Sequence, residues 1–121
     1  MDVKPVEWLG DSKDALRAFP EIVKDNIGYA LWVAQIGDKH PGAKPLQGFG
    51  GAGVLEVVED FRGDTFRAVY TVKFAERIYV LHVFQKKSKR GAQTRRRDRA
   101  LIESRLALAA ADDERRRRQV R

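Results

Sequence analysis

The side chains that could do chemistry in this chain are mostly cations, and they lie in its second half. Cleavage of an RNA phosphodiester by its own 2'-hydroxyl needs a base, an acid and positive charge around the phosphorane. Arginine, lysine and histidine can supply these roles without a metal ion. The sequence offers a set of this kind on or directly after two adjacent predicted strands: Arg67, Tyr70, Lys73, His82, Lys86 and Lys87. We take Arg67, His82, Lys86 and Lys87 as the candidate catalytic residues.

Arg67 is the strongest candidate for binding a phosphate. Residues 66–74 alternate apolar and polar side chains, which predicts a strand with Arg67 and Lys73 together on its exposed face. A guanidinium held on a strand beside other cations can bind a phosphate through two parallel hydrogen bonds. The alternative is an ion pair with Glu56 or Glu59 across a hairpin. The same alternation predicts that Tyr70 packs in the core.

His82 is the candidate for proton transfer, because imidazole titrates near neutral pH. It lies inside the apolar run at residues 78–84, which predicts a central strand buried on both faces. Regular alternation places His82 with Ile78 and Val80, whereas a bulge would place it with Tyr79 and Leu81. A structural histidine with satisfied hydrogen bonds is the alternative to a catalytic one.

Metal and cofactor chemistry receive no support from the sequence. The chain has no cysteine, which excludes disulfides, a cysteine nucleophile and thiolate metal sites. Its two histidines, His40 and His82, are far apart, and neither has a carboxylate cluster beside it. We therefore expect no metal site and no cofactor.

Positive charge is concentrated at the C-terminal end of the chain. The formal net charge is +7, yet residues 86–121 hold 14 lysines and arginines against five acidic residues, while residues 1–85 are slightly acidic. Such a field indicates a nucleic acid or an acidic protein as partner. The residues that we expect to bind RNA beside the catalytic set are Lys44, Lys73, Lys89, Arg90 and Arg95. No signal peptide or membrane span is evident, so we expect a cytoplasmic protein without a membrane partner.

The element pattern predicts one α+β domain over residues 1–111. A sheet of four or five strands is expected, mainly an antiparallel meander, with the helices on one face. Residues 38–53 are rich in glycine and proline and predict a long loop. Residues 112–121 are charged throughout, which predicts a frayed tail in which the role of Arg115 to Arg118 stays open. The predicted strands lie at 3–9, 54–61, 66–74 and 78–84, and the predicted helices begin near Asp11, at Pro20 and near Thr94.

Several short motifs in this order resemble the RelE/ParE toxin superfamily, in particular its HigB-like branch of phage-derived host-killing proteins. They are Gly53 with Glu56, Arg67 with Tyr70, and the strand end that carries His82, Phe84, Lys86 and Lys87. The resemblance implies a RelE-like fold with two N-terminal helices and one C-terminal helix. In it, Arg67 matches the arginine associated with the scissile phosphate.

Two functions follow from this resemblance. The first is a ribosome-dependent mRNA endoribonuclease of a type II toxin-antitoxin system, which inhibits translation and needs no metal. Its partners would be the ribosome, mRNA and a cognate antitoxin, expected to be a helix-turn-helix protein, in a hetero-oligomeric complex. The second is a ParE-like inhibitor of DNA gyrase that acts by protein binding alone. The lysines that end the central strand favour the first.

Overall fold

The computed structural model describes residues 2–51, 53–86 and 96–119. The predicted α+β class is confirmed, with two helices before the main strands and one after them. The elements in chain order are β1 (Val6–Trp8), α1 (Ser12–Arg17), α2 (Glu21–Gln35), β2 (Ala43–Pro45), β3 (Val54–Phe61), β4 (Asp64–Thr71), β5 (Ile78–Lys86) and α3 (Arg96–Gln119). None of the helices among these residues is both long enough and apolar enough to cross a membrane.

The five strands form one sheet in the order β1-β5-β4-β3-β2. The predicted meander of β3, β4 and β5 is confirmed, and both of its pairings are antiparallel. β1 lies at the edge and pairs parallel to β5. Pro5, which has no amide hydrogen, accepts a hydrogen bond from the Ile78 amide through its carbonyl at 2.9 Å.

The other edge strand, β2, lies inside the segment that the sequence predicts to be a loop. It has only three residues and pairs antiparallel to β3, with Lys44 opposite Glu56. A strand this short has no readable alternation, and it lies between glycine- and proline-rich stretches, so its pairing depends on the neighbouring strand.

Helices cover both faces of the sheet, so the prediction of helices on one face is wrong. α1 and α2 pack on one face, in a core that includes Val23, Ile27, Val57 and Tyr70. α3 packs on the opposite face, in a second core that includes Ile102. The second face can be buried because β4 and β5 carry apolar side chains toward both sides: Val69, Tyr79 and Leu81 point to α3, and Ala68, Ile78 and Val80 point away from it.

Residues 112–119, for which the sequence predicts fraying, continue α3 as helix. The helix is held at this end by polar contacts rather than apolar burial. Tyr79 donates a hydrogen bond to Asp112 at 2.7 Å, and Arg116 bridges Asp112 and Glu7 of β1. Asp113 is buried and pairs with Arg117. Ion pairs of this kind stabilise a sequence that has little to bury.

A β-bulge interrupts the pairing of β4 with β5. Val69 pairs with His82 and Tyr70 pairs with Val80, so Leu81 is an extra residue on β5. Two residues opposite one shift the alternation by one position. Leu81 and His82 consequently both point toward α3, which is the bulged alternative for His82.

Three predictions about exposure differ from the structure. Phe49 lies in a glycine-rich segment, which predicts an exposed aromatic side chain, but it is buried, and the Arg99 guanidinium lies 5.0 Å from its ring centroid. The helical position of Trp32 and the three- and four-residue apolar spacing that includes Ile22 predict that both pack in the core, but they are 44% and 54% exposed. A rotation of a few tens of degrees about the helix axis decides whether a side chain at the margin of the apolar face is buried, and sequence spacing does not resolve an angle this small. Tyr70 is buried, as predicted.

Candidate functional site

The candidate site lies on the face of the sheet that carries α3. Residues paired across neighbouring strands point to the same face, so the strand register gives the layout. One row contains Lys44, Glu56, Val69 and His82. The next contains Val58, Arg67 and Phe84, and the third contains Asp60, Thr65 and Lys86. Arg67 therefore lies at the middle of a patch bordered by Glu56 on β3 and by His82, Phe84 and Lys86 on β5.

Arg67 is buried, which corrects the prediction that it is an exposed strand residue. Its side chain is only 5% exposed, and its Nη1 donates to Glu56 Oε2 at 2.9 Å. The ion pair with Glu56 that was the alternative reading is thus present. The Arg67 Nε is also buried and has no hydrogen-bond partner among the described residues. Because a buried donor without a partner is costly, this atom is suited to a ligand oxygen.

His82 makes hydrogen bonds with both of its ring nitrogens, and both partners belong to α3. Nε2 lies 2.9 Å from Asp98 Oδ1, and Nδ1 lies 3.3 Å from Arg105 Nη1. A carboxylate accepts and a guanidinium donates, so the geometry defines a neutral ring with hydrogen on Nε2. The ring also stacks on Phe84, with centroids 4.4 Å apart. This arrangement supports a structural or positioning role for His82 more than direct proton transfer to RNA.

Two further predicted residues share the face with Arg67. Lys86 is 7% exposed and lies one row beyond Arg67, at the end of β5. Lys44 is exposed on the edge strand β2, directly opposite Glu56. The structure therefore brings Lys44, Arg67, His82 and Lys86 onto one face.

Lys73 does not belong to this group. It follows the end of β4, next to Gly53, six residues from Arg67 and at the opposite end of the strand from Lys86. The four strand steps from Arg67 to the end of β4 at Thr71 correspond to about 13 Å, and Lys73 lies beyond them. Lys87, Lys89, Arg90 and Arg95, the remaining predicted site residues, lie outside the described residues.

Sequence reasoning missed the acidic members of the site and the contribution of α3. Glu56 was considered as an ion-pair partner and as a motif residue but not as part of the site, and Asp98 and Arg105 were not assigned to the site. Glu56 could have been found from its place in the G-x-x-E motif, on the strand next to Arg67. Asp98 and Arg105 reach the site only because α3 packs over β5. Local sequence carries no signal for that packing.

Histidine, aspartate and glutamate form no group capable of holding a metal ion within residues 2–51, 53–86 and 96–119. The arrangement on the α3 face is instead a guanidinium beside a carboxylate, with lysines at its border. A guanidinium can hold a phosphate, and a carboxylate can accept a proton from a hydroxyl.

Residues 14–107 match a protein family described as phage-derived protein Gp49-like (DUF891). The match covers most of the chain, so the chain belongs to this family. A solved structure that is similar to the chain is the toxin-antitoxin complex RelBE2 from Mycobacterium tuberculosis. The two are 18% identical, the alignment covers 73% of this chain and 97% of that one, and the TM-score is 0.42. No curated protein matches the chain.

Proposed function

We propose that this chain is the toxin of a type II toxin-antitoxin system and that it inhibits translation by cutting mRNA on the ribosome. Two observations support the toxin class: the chain belongs to the phage-derived Gp49-like family, and its fold has the elements that the RelE/ParE resemblance implies. The observation that supports the RNA-cleaving activity is the buried Arg67 beside Glu56, with an Nε that has no hydrogen-bond partner within the described part of the chain.

In this proposal Arg67 is the phosphate ligand. The buried Nε would donate to a nonbridging oxygen of the scissile phosphate once RNA binding gives the phosphate access to it, while Nη1 stays bound to Glu56. A charge-assisted hydrogen bond in a water-poor site strengthens as negative charge develops on the phosphorane. A rigid strand and the ion pair hold the guanidinium in place, so little reorganisation is needed during the reaction.

Glu56 is the proposed proton acceptor for the attacking 2'-hydroxyl. Its side chain is 15% exposed and adjoins Arg67, so a phosphate held by Arg67 would lie close to the carboxylate. Lys86 and Lys87 are proposed to neutralise the phosphate backbone, while Lys44, Lys89, Arg90 and Arg95 attract RNA with little base preference. His82→Gln tests the predicted catalytic role of His82.

Primer extension on ribosome-bound mRNA tests the activity. The wild-type protein should produce discrete new 3' ends, and Glu56→Gln and Arg67→Lys should each lower the cleavage rate by on the order of 10²-fold. Lys73→Ala is the matched control, since Lys73 lies far from the site, and it should cut at the wild-type rate. If folded Arg67→Lys and Glu56→Gln proteins cut as fast as the wild type, the proposed site is wrong.

A supercoiling assay with purified DNA gyrase tests the ParE-like alternative. Inhibition of gyrase by a protein that produces no new mRNA ends would replace the RNA-cleaving proposal. In growing cells, we expect methionine incorporation, which reports protein synthesis, to fall before thymidine incorporation, which reports DNA synthesis.

The antitoxin is proposed to be an acidic protein that covers the face of the sheet that carries Lys44, Arg67 and Lys86. Electrostatic attraction to a chain of net charge +7 should speed the encounter, so the association rate constant should fall steeply as salt rises. A rate constant that does not change with salt would indicate docking on an apolar surface instead.

A further inference from the structure

Arg105 of α3 makes contacts that converge on β5, at the point where the bulge lies. Its Nη1 donates to the Leu81 carbonyl at 2.9 Å and lies 3.3 Å from His82 Nδ1. Its Nη2 donates to Asp11 Oδ1 at 3.0 Å. Each of these nitrogens carries two hydrogens, so Nη1 can serve both acceptors on β5 at once. The side chain is 12% exposed, so these contacts are shielded from water.

The bulge accounts for one of these contacts. An extra residue leaves part of the strand ladder unpaired, and Leu81 is the extra residue here. The Arg105 guanidinium satisfies the Leu81 carbonyl from α3. The bulge and the arginine are therefore linked features: the bulge turns His82 toward α3, and Arg105 holds the bulge.

The path of the Arg105 side chain also depends on Gly10. A Cβ atom built on Gly10 would lie 2.3 Å from Arg105 Nη2, and Gly10 has φ of +58°, which disfavours other residues. The chain between β1 and α1 thus leaves room for this guanidinium. Gly10 and the bulge are independent features of the backbone, and both accommodate Arg105.

We propose that Arg105 is a positioning residue for the Arg67 site. It holds His82 as the neutral ring with hydrogen on Nε2, because its Nη1 donates to Nδ1 while Asp98 accepts from Nε2. The fixed His82 ring stacks on Phe84, and Phe84 is the β5 residue paired with Arg67. Arg105 therefore acts on the phosphate site through His82 and Phe84, without touching RNA.

The catalytic part of this inference rests on the proposed function, but the state of His82 can be measured without it. Long-range ¹H–¹⁵N NMR on the whole chain at neutral pH distinguishes the two neutral forms of the ring and the imidazolium. The wild-type protein should show hydrogen on Nε2 alone. A wild-type His82 with hydrogen on Nδ1, or with both nitrogens protonated, would overturn the proposal even if every variant failed to fold.

Arg105→Met keeps most of the length of the side chain and removes all of its donors. It should give a mixture of the two neutral forms of the His82 ring. It should also lower kcat for mRNA cleavage by roughly 10- to 100-fold, with a smaller change in KM, because displaced His82 and Phe84 rings would misplace the reacting groups. Arg105→Lys restores a donor and should recover the Nε2 form and part of kcat. A folded Arg105→Met protein with unchanged His82 and unchanged kcat would refute the positioning role.

Arg116→Met is the matched control, since Arg116 ties the other end of α3 to Glu7. It should lower thermal stability while leaving the His82 signal and kcat unchanged. If it alters both as much as Arg105→Met does, general loosening of α3 explains the data and the proposal fails. If the wild type cuts no RNA but the His82 results hold, the proposed function fails and the positioning geometry stands.

Discussion

Removing either member of the Glu56 and Arg67 pair should cost far more stability than removing a surface ion pair. The two side chains are only 15% and 5% exposed, and their charged atoms are 2.9 Å apart. Breaking a buried pair costs about 3 to 5 kcal/mol in free energy of unfolding, because one charge stays buried without its partner. An exposed pair is worth about 0 to 1 kcal/mol. If Arg67 were exposed, as the sequence predicts, Arg67→Ala would fold with nearly unchanged stability.

The two single variants should differ in cost. Glu56→Leu leaves the more buried partner, Arg67, without this carboxylate, so it should lower the free energy of unfolding by about 5 kcal/mol. Arg67→Met leaves a carboxylate that keeps some contact with water, so it should lower the free energy of unfolding by about 3 kcal/mol. The double variant Glu56→Leu/Arg67→Met removes both charges and should lose less stability than either single variant, because no charge then stays buried.

Urea unfolding at pH 7, followed by circular dichroism, measures these differences. With a slope of about 1 to 3 kcal/mol per molar, a loss of about 3 kcal/mol lowers the midpoint by roughly 1 to 3 M. Arg118→Met is the matched control, because Arg118 and Glu114 are 2.8 Å apart but 77% and 58% exposed. Its midpoint should barely move. Losses below about 1 kcal/mol for both buried-pair variants would show that the pair is hydrated, and the argument for a water-poor phosphate site would then fail.

Three further outcomes are expected. Burial raises the pKa of Tyr70 to about 12, so wild-type stability should fall as pH rises from about 10 to 12. Tyr70→Phe should make this fall less steep in a pH series of urea midpoints, while Tyr79, whose pKa burial also raises, still contributes to it. Burial alone would raise the pKa of Asp112, but hydrogen bonds from Tyr79, Arg116 and Arg115 outweigh it and lower the pKa. The stability advantage of wild type over Asp112→Asn should thus be full at pH 7 and be lost as pH falls below about 4; equal advantages at pH 7 and pH 3 would contradict this. In a filter-binding assay, Lys44→Ala should weaken RNA binding similarly for different sequences. It should also lower the slope of log affinity against log salt concentration by about one, as expected for one lost phosphate contact. A change in base preference would argue against a backbone contact.

The central strands could be predicted from sequence because their pattern is local. Alternating and continuous apolar runs separated by tight turns specify β3, β4 and β5, and all three occur with small shifts of their ends. The same runs place Arg67 and His82 on neighbouring strands. The bulge at Leu81 was foreseen only as an alternative, because extra residues in a ladder depend on how two strands pair and not on either strand alone.

The site could be predicted only in part. Lys44, Arg67, His82 and Lys86 share a face because strand register aligns them. Lys73 was grouped with Arg67 by strand parity, yet the strand ends before Lys73 and separates the two along its axis. Parity reports the side of a sheet and carries no information about distance along it.

The sequence by itself determined the class of this protein: an α+β fold with a meander, a charge asymmetry toward the C-terminus, and Arg67 and His82 on neighbouring strands. Periodicity and net charge are properties of the chain and need no packing to be read. Only the tertiary structure decided that α3 crosses the second face of the sheet, that Arg67 is buried against Glu56, and that Arg105 and Asp98 enclose His82. Burial and hydrogen-bond partners arise between segments distant in sequence, and they depend on how those segments pack.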